Sequence, residues 1–144
     1  MKEEKNNNIF INLAKSYQIE SSLIQNYKYF SNVADYEGLG ETSQLLKNIS
    51  ETSLDNAQGS LDYLMEYSDP DTEMPLGNTI LHLESLIASE TKQFTEIYPY
   101  FIKQSRLDGA EDIASWYETL EKLKRKHVEI LKNELDRIKK LNIN

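Results

Sequence analysis

The chain has 144 residues, no cysteine, five glycines, three prolines and a formal net charge of −8. Zero cysteine excludes disulfide frameworks, zinc ribbons, thiolate iron–sulfur sites and cysteine nucleophiles. The acidic balance argues against nucleic acid or an anionic membrane as the main partner, and no apolar run approaches the ~20 residues of a membrane span.

From Met1 to Asn8 the sequence is polar and mixed in charge, with no apolar stretch behind it. No signal peptide is expected, and the expected location is the cytoplasm. Residues 1–8 are expected to be a disordered start to a single domain over 9–142. The first predicted helix, 7–36, carries Ile9, Leu13, Tyr17, Ile24, Tyr27 and Ala34 on one stripe. Glu37-Gly38-Leu39-Gly40 breaks it, because glycine enters the left-handed region cheaply. The second, 39–66, carries Leu45, Leu46, Ile49, Ala57, Leu61 and Leu64. The stretch from Tyr67 to Asn78 is the densest in turn residues and divides the chain into two similar lengths. The third helix, 78–107, carries Leu83, Ile87, Phe94, Ile97, Tyr98 and Phe101, and Pro99 is expected to kink it. After Asp108-Gly109, the fourth runs over 109–142 with Ile113, Trp116, Tyr117, Leu120, Leu123, Ile130, Leu131, Leu135, Ile138 and Leu141. Its basic residues Lys122, Lys124, Arg125 and Lys126 are matched by Glu118, Glu121 and Glu129, which reads as a solvated face. Arg137, Lys139 and Lys140 suit the dipole at its end.

Four long amphipathic segments with two short turns and one longer connection predict an all-α, antiparallel four-helix bundle. An internal repeat supports two hairpins of one design joined by a crossover. Tyr27-Lys28-Tyr29-Phe30, six residues, then Glu37-Gly38 recurs 71 residues later as Tyr98-Pro99-Tyr100-Phe101, six residues, Asp108-Gly109.

Polar residues interrupt every stripe near mid-helix. They are Glu20; Ser53 and Asn56; Glu90 and Gln93; and Lys124 and His127. Taken singly, each reads as a snorkelling or locally satisfied residue. Taken together they predict one polar layer, the place where bundles build cofactor sites.

Glu20, Tyr27-Lys28-Tyr29-Phe30, Ala34 and Glu37-Gly38 resemble the opening helix of the rubrerythrins, ferritin-like proteins with a di-iron centre. Ile97-Tyr98-Pro99-Tyr100-Phe101 and Asp108-Gly109-Ala110-Glu111-Asp112-Ile113-Ala114 are similar to the second hairpin of that fold. The resemblance runs from Glu20 to Leu131 and implies a ferritin-like fold. It also implies that Glu20 and Glu90 match iron-binding glutamates. The second-helix Glu-x-x-His becomes Ser53-x-x-Asn56, the second glutamate of the third helix becomes Gln93, and the fourth-helix Glu-x-x-His becomes Lys124-x-x-His127. Tyr27 and Tyr98 match the tyrosines that hydrogen-bond the carboxylates. The cysteine-bearing iron tail of some family members is not expected in this chain.

Two irons bring four to six positive charges, which hard oxygen ligands must largely neutralise. An ammonium cannot ligate, and at ~5 Å and an effective dielectric of ~20 each unit repulsion is of order 3 kcal/mol. The expectation is therefore a metal-free core without cofactor. In it Lys124 bridges Glu20 and Glu90, Ser53, Asn56 and Gln93 supply neutral hydrogen bonds, and His127 is an adaptable donor. Lys124→Ala should then cost ~3–5 kcal/mol. Function would lie in binding or structure, as a homodimer or with another protein. The alternative is an iron- or manganese-dependent oxidoreductase using Glu20, Glu90 and His127, with Glu51 and Asp55 nearby. A third reading makes Lys124 a nucleophile, which two flanking glutamates oppose.

Overall fold

The computed structural model describes residues 7–143. Helix α1 spans Asn7–Tyr36, α2 Gly40–Leu64, α3 Thr79–Lys92, α4 Tyr98–Leu107 and α5 Glu111–Ile143, with a π-helical turn at Gln93–Ile97 between α3 and α4. The described residues form helices joined by turns, with no strand among them. Of the expected disordered start, residues 1–6 lie outside the described residues, and Asn7 and Asn8 open α1. The chain divides after Leu76 into two units, α1–α2 and α3–α5, each a helical hairpin.

In the first hairpin the contacts between helices run in opposite chain order. Ser16 Oγ meets Ser60 Oγ at 3.0 Å, Ser50 Oγ donates to the Ile24 carbonyl at 3.4 Å, and Ser31 Oγ donates to the Ser43 carbonyl at 2.9 Å. The interface is built from small residues: Ser31, Ala34, Ser43, Ser50, Ser53 and Ala57 are all buried, with Leu64 beyond them. The apolar stripes predict larger side chains here, but Leu45 and Ile49 are exposed. On α2 the buried Ser43, Ser50, Ala57 and Leu64 recur every seven residues, the spacing of a coiled-coil seam. Serine fits because its hydroxyl bonds the neighbouring backbone and its small size lets the helices approach.

The second hairpin runs likewise from Glu84–Lys139 through Tyr98–Tyr117 to Arg106–Glu111. Four of its buried residues, Ile102, Ala114, Val128 and Leu135, stand 71 positions after Ser31, Ser43, Ala57 and Leu64, and Ser85 on α3 is buried as well.

Both turns have one geometry. Gly38 (φ 81°) and Gly109 (φ 75°) sit in the left-handed region. Leu39 N donates to Ala34 O at 2.9 Å and Gly38 N to Asp35 O at 3.0 Å; Ala110 N donates to Ser105 O at 2.8 Å and Gly109 N to Arg106 O at 3.0 Å. These are the paired bonds of a Schellman cap, which satisfy the last carbonyls of the helix.

Asn78 caps α3, its side chain accepting from Leu81 N at 3.0 Å. Pro99 neither ends the helix nor sits in a regular one. Tyr98 N donates to Gln93 O, five residues back, so the segment 79–107 continues through the wider π turn. In the middle stretch Asp69 closes a loop, its carboxylate accepting from Asp71 N at 2.7 Å and Thr72 N at 3.2 Å.

Candidate functional site

Glu90 is the centre of the best-formed polar cluster, which lies in the second hairpin. One oxygen, Oε1, receives Lys124 Nζ at 3.1 Å and His127 Nδ1 at 2.8 Å. Lys124 and His127 are three residues apart on α5 and therefore project from one face. Side-chain exposure falls from 50% at His127 through 26% at Lys124 to 15% at Glu90, so the carboxylate is the innermost group. A half-buried carboxylate with two donors on one oxygen is held in a single orientation. The imidazole nitrogen that faces Glu90 is fixed, and Nε2 points elsewhere.

Gln93 shares α3's end with Glu90 but turns to its own helix, Nε2 donating to Ser89 Oγ at 3.1 Å. Tyr98 stacks on Tyr117 at 5.9 Å between ring centres and meets Phe101 edge-on at 5.9 Å. Among the basic residues beside the cluster, Arg125 pairs with Glu121 at 3.2 Å and lies 4.6 Å from the centre of the Phe94 ring. Glu118 pairs with Arg106.

The first hairpin holds the corresponding positions. Asn56 Nδ2 reaches Glu20 Oε1 in a long contact of 3.5 Å. Ser53 is buried in the helix interface, and Tyr27 is half-buried on α1. Ser53 and Asn56 precede Lys124 and His127 by 71 residues, so Glu20–Asn56 and Glu90–His127 are the same contact in two hairpins. Asn56 thus meets Glu20 in the first hairpin, and Lys124 and His127 meet Glu90 in the second, while Gln93 turns to Ser89. No hydrogen bond joins Tyr27 or Tyr98 to the glutamate of its own hairpin among the described residues.

These donors do not suit two irons. The second hairpin offers one carboxylate, one imidazole and an ammonium already seated on the carboxylate. The first offers one carboxylate with a hydroxyl and an amide, neither anionic. No group of three or more His, Cys, Asp or Glu able to hold a metal ion occurs among the described residues.

Two helical hairpins, one of them carrying a glutamate-centred polar cluster, make this an all-helical protein consistent with a helical bundle. Over 135 residues, 88% of the chain, the sequence is 25% identical to Rubrerythrin-1 of Clostridium acetobutylicum. Over 119 residues, 80% of the chain, it is 23% identical to the rubrerythrin of Porphyromonas gingivalis. The chain is rubrerythrin-like, though distant from both. It spans 69% of the length of the first relative and 60% of the second. No family model matches it. No helix among the described residues is long and apolar enough to cross a membrane.

Proposed function

We propose that this is a rubrerythrin-like protein in which side-chain charges have replaced the di-iron centre, leaving a metal-free binding or structural protein. The observation that carries this reading is the seating of Lys124 Nζ on Glu90 Oε1. For Glu90 to ligate iron through Oε1, the metal would have to displace an ammonium and an imidazole nitrogen from that oxygen. The substitutions in the other half, Ser53 and Asn56, remove an anion and an imidazole where two metals would need them.

The reading includes the antiparallel four-helix bundle with a crossover at 65–78 that the sequence pattern predicts.

Metal content tests the proposal. Protein produced with iron and manganese supplied should carry far less than one metal per chain by elemental analysis; one or two equivalents would overturn the reading. The same assay on the quadruple variant Ser53→Glu, Asn56→His, Gln93→Glu and Lys124→Glu should show metal bound, because it restores the anionic ligand set.

A further inference from the structure

Between α4 and α5 runs an open groove of about 800 Å³. Pro99, Ile102 and Leu107 form its apolar part, and Leu107 is 70% exposed. Lys103 and Arg106 of α4 and Lys122 and Arg125 of α5 also line it, against Glu118 and Glu121. Arg106 pairs with Glu118 and Arg125 with Glu121, so arginine takes both carboxylates. Lys103 and Lys122 have no ion-pair partner among the described residues. A chain of net charge −8 thus holds one locally positive, partly apolar groove. It is separate from the Glu90 cluster. Lys122 and Arg125 each stand two residues before Lys124 and His127, about 200° around the helix, so the groove faces away from that cluster.

We infer that this groove docks an amphipathic helix of another protein, with acidic residues three turns apart and apolar residues between them. The spacing follows from the hairpin. Tyr98 stacks on Tyr117, which sets the two level. Lys103 lies five residues beyond Tyr98, towards the turn, and Lys122 five beyond Tyr117, away from it. At 1.5 Å per residue the two ammoniums stand about 15 Å apart along the groove. Residues eleven apart on a helix share a face and span about 16 Å, and those at i+4 and i+7 fall between them on that face. Carboxylates at the two ends would meet Lys103 and Lys122, and apolar side chains between them would rest on Pro99 and Ile102. An apolar residue one turn farther on would cover Leu107. A small anion would reach one ammonium and leave the apolar floor open. Exposed ion pairs add little affinity, so the charges select the partner and apolar contact holds it. The inference names a partner for the binding role proposed above and rests on that role, not on the absence of metal.

The probe is a synthetic, end-capped peptide of alanine and glutamine. It carries glutamate at its second and thirteenth positions and leucine at its sixth, ninth and seventeenth. Titrated into the full chain and followed by NMR, it should shift the amides of Ile102, Leu107 and Lys122 saturably. Both lysines are exposed, so reversing them should leave the fold intact. Lys103→Glu with Lys122→Glu should weaken the peptide by about tenfold or more. A peptide with lysine in place of glutamate should bind the reversed protein and not the native chain. No shifts in the groove, or equal binding of both peptides by the native chain, would overturn the inference. A dimer in sedimentation velocity that the reversed lysines dissociate would also overturn it, making a second copy the occupant. Adsorption to phosphatidylglycerol vesicles that the same change abolishes would do so in favour of a membrane surface. Metal found by elemental analysis would sink the metal-free reading and leave the peptide result standing, and failure of the peptide would leave the metal result standing.

Discussion

Lys124 and His127 divide one oxygen of Glu90 between them, and that division sets the consequence of removing either. With Lys124→Ala the carboxylate keeps His127 and some contact with water. The loss should be about 1–3 kcal/mol in urea unfolding, a charged hydrogen bond's worth. That is less than the ~3–5 kcal/mol expected for a fully buried charge, because Glu90 and Lys124 are only partly buried. Farther along α5, the Arg137 side chain donates to Glu134 and holds its carboxyl below the usual range, while Glu134 raises Arg137. A lowered carboxyl contributes stability above its unfolded value and loses it as pH falls through the folded one. Arg137→Gln should therefore lower the melting temperature slightly at neutral pH and leave it unchanged at strongly acidic pH. Both groups are exposed, so the difference should be small.

Helix ends and helix faces differed in how plainly the residues announced them. Gly38 and Gly109 mark both turns, and the structure places both in the left-handed region. Nothing lies within 4 Å of a Cβ added at either, so Gly109→Ala should cost only the backbone strain, about 1–2 kcal/mol by denaturant titration. The seam of each hairpin was harder to read. Ser43 and Ser50 look like surface residues by type, and only their seven-residue spacing with Ala57 and Leu64 reveals them. Apolar stripes pointed instead to larger residues such as Leu45 and Trp116, which the structure leaves exposed. Pro99 predicted a disturbance, but not its form. The π turn at Gln93–Ile97 takes its place just ahead of the proline and needs the backbone bond from Tyr98 N to Gln93 O to be seen.

For the whole molecule, the polar cluster was legible because Glu90, Lys124 and His127 interrupt otherwise apolar stripes at helical spacing. Their pairing was not, since distances between helices depend on side-chain reach that spacing alone does not give. If protein charges have replaced the metals, stability should not depend on metal. Extended treatment with a strong chelator should leave the melting temperature unchanged, whereas the quadruple variant loaded with metal should lose stability on the same treatment.

The two hairpins are alike in how they turn and unlike in how evenly they wind. Gly38 and Gly109 close both turns with the same pair of backbone bonds. The π turn occurs in the second hairpin and has no counterpart in α1, whose helix is regular from Asn7 to Tyr36. Symmetry between the halves therefore holds at the bends of the chain and lapses along its rods.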